Sequence, residues 1–96
     1  MGLGKQNTNE KKINTYEKGK AIFHAVNTIG NKHLIQQINL FQRGLQNVQL
    51  AGDSNYWIKE IEQFKSGVNM SGNKINKVLK DAILEYCDLL LEYYGD

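Results

Sequence analysis

"KSGVNMSGN", residues 65 to 73, decides how this chain folds, because these nine residues are poor helix material and yet keep the helical register of their neighbours. Gly67, Gly72, Ser66, Ser71, Asn69 and Asn73 all disfavour a helix interior. Glycine does so through backbone entropy, serine and asparagine through side chains that compete for backbone hydrogen bonds. Against this, apolar residues recur at helical spacings on both sides: Trp57, Ile61, Phe64 and Val68 before the stretch, then Ile75, Val78, Ala82, Tyr86, Leu89 and Tyr93 after it. Val68 and Ile75 are seven residues apart, about two helical turns, so one apolar stripe can cross the stretch unbroken.

Towards the N-terminus the next punctuation is "AGDSN", residues 51 to 55. Gly52 suits the left-handed residue that ends a helix, and Asp53 or Ser54 can cap the free N–H groups of the next one, which predicts a tight helix–helix turn. Upstream of it Leu34, Ile38, Phe41, Leu45 and Val48 share a face, and so do Ile22, Val26 and Ile29. These two runs are out of phase by one residue, and the slip falls at Gly30-Asn31, where a kink or short break is expected. Residues 1–13 are polar, show no apolar period and read as a flexible arm ahead of a single helical domain over 14–96.

The expected fold is therefore all-α, a long antiparallel helical hairpin with helices over about 15–50, kinked near Gly30, and 54–94. Breaks at both Gly30 and Gly67–Gly72 give instead a four-helix bundle whose last helix is capped by Ser71 or Asn73. The preserved register favours the hairpin. A lone hairpin buries one stripe per helix, so it predicts a protein partner or a homodimer formed through the seam of Leu34, Ile38, Phe41, Leu45, Trp57, Ile61, Phe64 and Val68.

Composition limits the function classes. Ninety-six residues, 41% hydrophobic and without proline, make one small domain of uninterrupted helices. A single cysteine excludes an internal disulfide, and no apolar run approaches the ~20 residues of a membrane span. "MGLGKQNTNEKK" lacks the apolar stretch of a secretory signal, so the expectation is a cytoplasmic protein as synthesised, with export by a non-classical route open to it. Net charge is +2 but unevenly spread: residues 81–96 carry Asp81, Glu85, Asp88, Glu92 and Asp96 with no base, and residues 1–20 carry five lysines against Glu10 and Glu17. If the two ends lie side by side, these charges face each other. The stripe Asp81, Glu85, Asp88 and Glu92 otherwise reads as a solvated helix face.

No catalytic constellation stands out. His24 and His33 are nine residues apart, not the four that put two metal ligands on one helix face, and Cys87 lies in the apolar "LEYCDLLL" as a small hydrophobe with no activating base in view. The expectation is no enzyme activity, no metal and no cofactor. Lys5, Lys11, Lys12, Lys18, Lys20, Lys32 and Arg43 make a small basic nucleic-acid-binding dimer an alternative, without a helix-turn-helix, zinc module or aromatic–basic interleaving to support it.

Two long helices joined by a central turn beside the sole tryptophan, across roughly residues 15–94, resemble the WXG family of type VII secretion substrates and the small helical partners of LXG toxins. In that family a Trp-x-Gly turn joins the helices and a Tyr-x-x-x-Asp/Glu element near the end of the second helix contributes to export. Here "GDSNYW" places glycine before Trp57, Tyr86 is followed four residues later by Leu90, and the spacing is met only by "YWIKE", Tyr56 to Glu60. What the resemblance implies is a non-catalytic secretion-associated partner or chaperone-like protein. The four-helix alternative resembles small bacteriocin immunity proteins, in architecture alone. Trp57, in step with Ile61 and Phe64, reads as a core anchor.

Overall fold

The computed structural model describes residues 3–47 and 53–95, with side chains from Glu10 onward. The described chain is all-α: α1 spans Leu3–Ile29, α2 Lys32–Gln46, α3 Ser54–Asn69 and α4 Lys77–Gly95, with a short 3-10 turn over Gly72–Lys74 between the last two. Successive helices run antiparallel, up-down-up-down. Tyr16 on α1 meets Gln42 and Gln46 on α2, Gly44 on α2 meets Trp57 on α3, Lys65 on α3 meets Asp88 on α4, and Lys18 on α1 meets Glu85 on α4. The molecule measures 45 × 22 × 19 Å, its length set by α1, whose 27 residues rise about 40 Å.

Both sequence breaks are real breaks. Gly30 adopts φ +74°, and its N–H donates to the carbonyls of Val26 at 3.1 Å and Asn27 at 3.2 Å, a left-handed glycine ending α1. Asn31 then caps α2, its side chain accepting the Leu34 N–H at 3.1 Å. At the far end of α3 the Met70 N–H reaches Ser66, Lys80 Nζ donates to the Asn69 carbonyl at 3.2 Å, and Gly72 turns the chain with φ +60°. The cap of α4 is neither Ser71 nor Asn73 but Asn76, whose Oδ1 accepts from the Val78 N–H at 2.9 Å. Of the two arrangements open to the all-α pattern, the chain takes the four-helix form.

The breaks reset the helical phase. In α4 the buried face is Ile83, Tyr86, Cys87, Leu90 and Tyr94, while Val78 is 79% exposed and Ala82, Leu89 and Tyr93 are half-buried. Of the expected stripe Tyr86 keeps its buried place, while the buried positions expected at 82, 89 and 93 shift by one residue to 83, 90 and 94, because α4 starts anew at Lys77 and does not inherit the rotation of α3. Ile75 keeps its buried place from within the linker. At the end of α1 the slip at Gly30 has the same meaning: Ile22 and Val26 are buried, but Ile29 is 58% exposed, and the inward face of α1 runs through Thr15, Gly19, Ile22 and Val26. The polar segment expected as an arm is helical from Leu3, a continuation of α1.

Aromatic side chains fill the space between α2 and α3. Phe41 meets Phe64 edge-on at 5.4 Å and Trp57 at 6.4 Å, and the indole of Trp57 stacks on Tyr94 at 5.8 Å with 9° between the planes. Trp57 can sit so close to α2 because residue 44 is glycine; a Cβ there would lie 2.8 Å from the indole. Gly19 does the same for α1, where a Cβ would collide with Gln42 and with the Tyr86 ring.

Candidate binding surfaces

The eight seam residues expected to meet a partner, Leu34, Ile38, Phe41, Leu45, Trp57, Ile61, Phe64 and Val68, all belong to the chain's own core, none more than 7% exposed. Four helices bury one another's stripes, so the apolar surface that a two-helix hairpin would offer to a partner is covered from within. Of the turn residues, Asp53 is the cap of α3, accepting the Tyr56 N–H at 3.2 Å, and Ser54 is its first helical residue; Gly52 lies outside the described residues. Tyr56 is 50% exposed in the first turn of α3 with Glu60 one turn on, whereas Tyr86, the other tyrosine weighed for an export element, is fully buried.

Tyr86 belongs to a polar bridge across three helices. Its hydroxyl donates to Gln42 Oε1, and Gln42 Nε2 donates at 2.9 Å to the backbone carbonyl of Tyr16, beside the glycine notch at Gly19. Burial pushes the Tyr86 hydroxyl pKa far above its ordinary value, so it stays a neutral donor. A buried glutamine satisfied on both its oxygen and its nitrogen fixes the register of α1, α2 and α4, and the hydrophobic pattern gave no signal for it. Cys87, next in sequence, is fully buried, and burial pushes its thiol up to about 12, with the Asp88 charge adding to the shift. Such a thiol is neither a ready nucleophile nor a ready ligand. Among the described residues no three His, Cys, Asp or Glu side chains gather closely enough to hold a metal.

The acidic stripe of α4 is largely occupied within the chain. Asp81 pairs with Lys77 at 3.1 Å, Glu85 with Lys18 at 3.1 Å, and Asp88 with Lys65. The Lys18–Glu85 pair joins the basic N-terminal part of the chain to its acidic C-terminal part, as antiparallel neighbours require. Next to it α1 and α4 leave an open apolar groove of about 330 Å³ between them, with Ile22 and Leu79 in its wall and Ala21, Ala25, Val78 and Ala82 along it. The groove exists because the facing side chains are small. Ala21 and Ala25 stand one turn apart on α1, as Val78 and Ala82 do on α4, and this i, i+4 pairing of small residues beside a core position was the available sequence signal.

Among the described residues no helix is long and apolar enough to cross a membrane. Comparison with protein-family models, with curated proteins and with solved structures returns no match.

Proposed function

We propose that this protein is a non-catalytic binding module, a self-contained four-helix bundle that engages another protein through the groove between α1 and α4. The observation that carries this reading is the groove itself: it is apolar, it lies outside the closed core, and the Lys18–Glu85 ion pair marks one end of it. An amphipathic helix laid between α1 and α4 is the ligand form such a groove fits. The protonated, buried Cys87 and a Tyr86 hydroxyl committed to Gln42 support a binding role over chemistry.

A type VII-associated partner of an LXG toxin and a bacteriocin-immunity-like bundle both belong to this class. The capped breaks at Gly30-Asn31 and Gly72–Asn76 favour the second, since they give the short-helix antiparallel bundle that its architecture requires and a core that needs no borrowed helix. Lys18, one of the basic residues behind the nucleic-acid reading, is taken up by its ion pair with Glu85, which weighs against that reading.

The test is cross-linking in the source cells with the intact protein, a groove variant (Ala21→Arg with Ala25→Arg) and a control on α2 (Leu40→Arg). All three positions are exposed, and an unchanged thermal midpoint checks that each variant keeps the fold. The expected result is one protein captured equally by the intact chain and the α2 control and lost from the groove variant. Equal capture by all three overturns the groove as the site, and salt-sensitive retention on nucleic acid that the groove variant keeps favours the nucleic-acid reading.

A further inference from the structure

Up-down-up-down topology brings the α1–α2 and α3–α4 connections to the same end of the bundle, and this end has an unusual surface. Ile29, the last residue of α1, is 58% exposed; Met70, directly after α3, is 82% exposed; Val78, second in α4, is 79% exposed. Residues 24–36 and 66–81, which form this end, contain Lys32, Lys74, Lys77 and Lys80 and a single carboxylate, Asp81, already paired with Lys77. Four lysines against one acid leave a local charge of +3 on a chain whose whole net charge is +2.

We propose that this end of the bundle docks peripherally on the surface of an anionic phospholipid bilayer, with Ile29, Met70 and Val78 entering the interface and the lysines at headgroup level. The three apolar side chains stand on separate elements and line no common groove, so they offer a rigid protein partner little complementary shape; a fluid lipid surface takes up isolated apolar side chains one by one. The lysines supply the charge complementarity, each worth several-fold in affinity next to anionic lipid. Asn31, Gly72, Asn73 and Asn76 between them keep the remaining surface free of negative charge. With no helix among the described residues able to span, the association is superficial and reversible. The proposal goes beyond the groove reading and uses different residues, apart from Val78, which borders both.

Co-sedimentation with sonicated vesicles tests it, using phosphatidylcholine alone and phosphatidylcholine with a third phosphatidylglycerol, at low and moderate salt. The intact protein is expected to bind the anionic vesicles, to bind the neutral ones at least about tenfold less, and to weaken as salt rises. Ile29→Ser with Met70→Ser, and separately Lys32→Gln with Lys74→Gln, should each lower binding about tenfold or more. Leu40→Ser and Tyr56→Ser, exposed apolar positions outside this end, should leave it unchanged. No binding to anionic vesicles overturns the proposal, as does equal loss from the Leu40 and Tyr56 controls. Salt-sensitive binding to a soluble acidic polypeptide without vesicle binding also overturns it, assigning the lysines to an acidic protein. Because the serine and glutamine variants leave Ala21 and Ala25 intact, their effect is separable from failure of the groove.

Discussion

At Gly44 and Gly67 the same amino acid does opposite things. Gly44 holds a notch into which Trp57 packs, so Gly44→Ala must push the indole off its stack on Tyr94, and a loss of about 1 to 3 kcal/mol is expected in chemical denaturation. Gly67, also helical, has open space where a Cβ would go, and Gly67→Ala should raise stability by about 0.5 to 1 kcal/mol. If both substitutions cost the same, the close approach of α2 and α3 is not what constrains residue 44. Tyr94 offers a second contrast. Its hydroxyl is buried with no hydrogen-bond partner among the described residues, while its ring carries the stack on Trp57. Tyr94→Phe should therefore be neutral or stabilising by up to about 1 kcal/mol, because an unpaired polar group is removed and the ring is kept. A clear drop in the thermal midpoint would show that the hydroxyl has a partner in solution.

At the scale of the element, the helix ends are where the fold was chosen. Asn31 and Asn76 each follow a glycine turn and each accept a backbone N–H of the helix they start. Replacing Asn31 by alanine should cost about 1 kcal/mol, visible in the urea midpoint, with little change in its slope. A cost near zero would mean that α2 begins elsewhere. The two glycine-rich breaks were legible as weak helix. That the chain stops there was not legible, because the seven-residue interval from Val68 to Ile75 mimics continuity. Both residues are buried, but Val68 from a helix and Ile75 from the linker after it. Periodicity records which side chains are buried and does not record whether the backbone between them is helical. Hence the one-residue displacement of the buried face of α4, and the exposure of Val78.

For the whole molecule the consequence is a core that closes on itself and holds Cys87, Tyr86 and Tyr94 in their neutral forms. Burial raises the Cys87 thiol from an ordinary value near 9 to about 12, and the Tyr94 hydroxyl from near 10 to about 12. Both are neutral when protonated and both hold the proton more tightly when folded. Their contribution is therefore whole below about pH 9 and is lost as pH rises towards about 12, when the unfolded chain ionises first. Ionisation of Cys87 alone should lower the denaturation free energy by about 2 kcal/mol from roughly pH 9 to roughly pH 11, with the buried tyrosines adding to the fall, and Cys87→Ala should remove its part of that slope. A stability independent of pH across this range would show that neither group is held dry. The same burial predicts that a thiol reagent modifies Cys87 only after denaturant is added, at a rate that follows unfolding.

The linear order of residues by itself determined that the chain is all-α, where its helices are weakest, that Asp53 or Ser54 starts the third, and that Leu34 through Val68 form an apolar seam. These follow from local propensity and from a 3.6-residue period, which need no knowledge of neighbours. Only the tertiary structure decided that the seam faces inward on four helices. It also decided that Gly19 and Gly44 are contact points, that Gln42 bridges Tyr16 and Tyr86, and that small residues on α1 and α4 leave a groove. The reason is physical: each of these depends on which two helix faces meet and how closely, and residues as far apart in sequence as Gly44 and Trp57, or Gly19 and Tyr86, carry no local trace of that meeting.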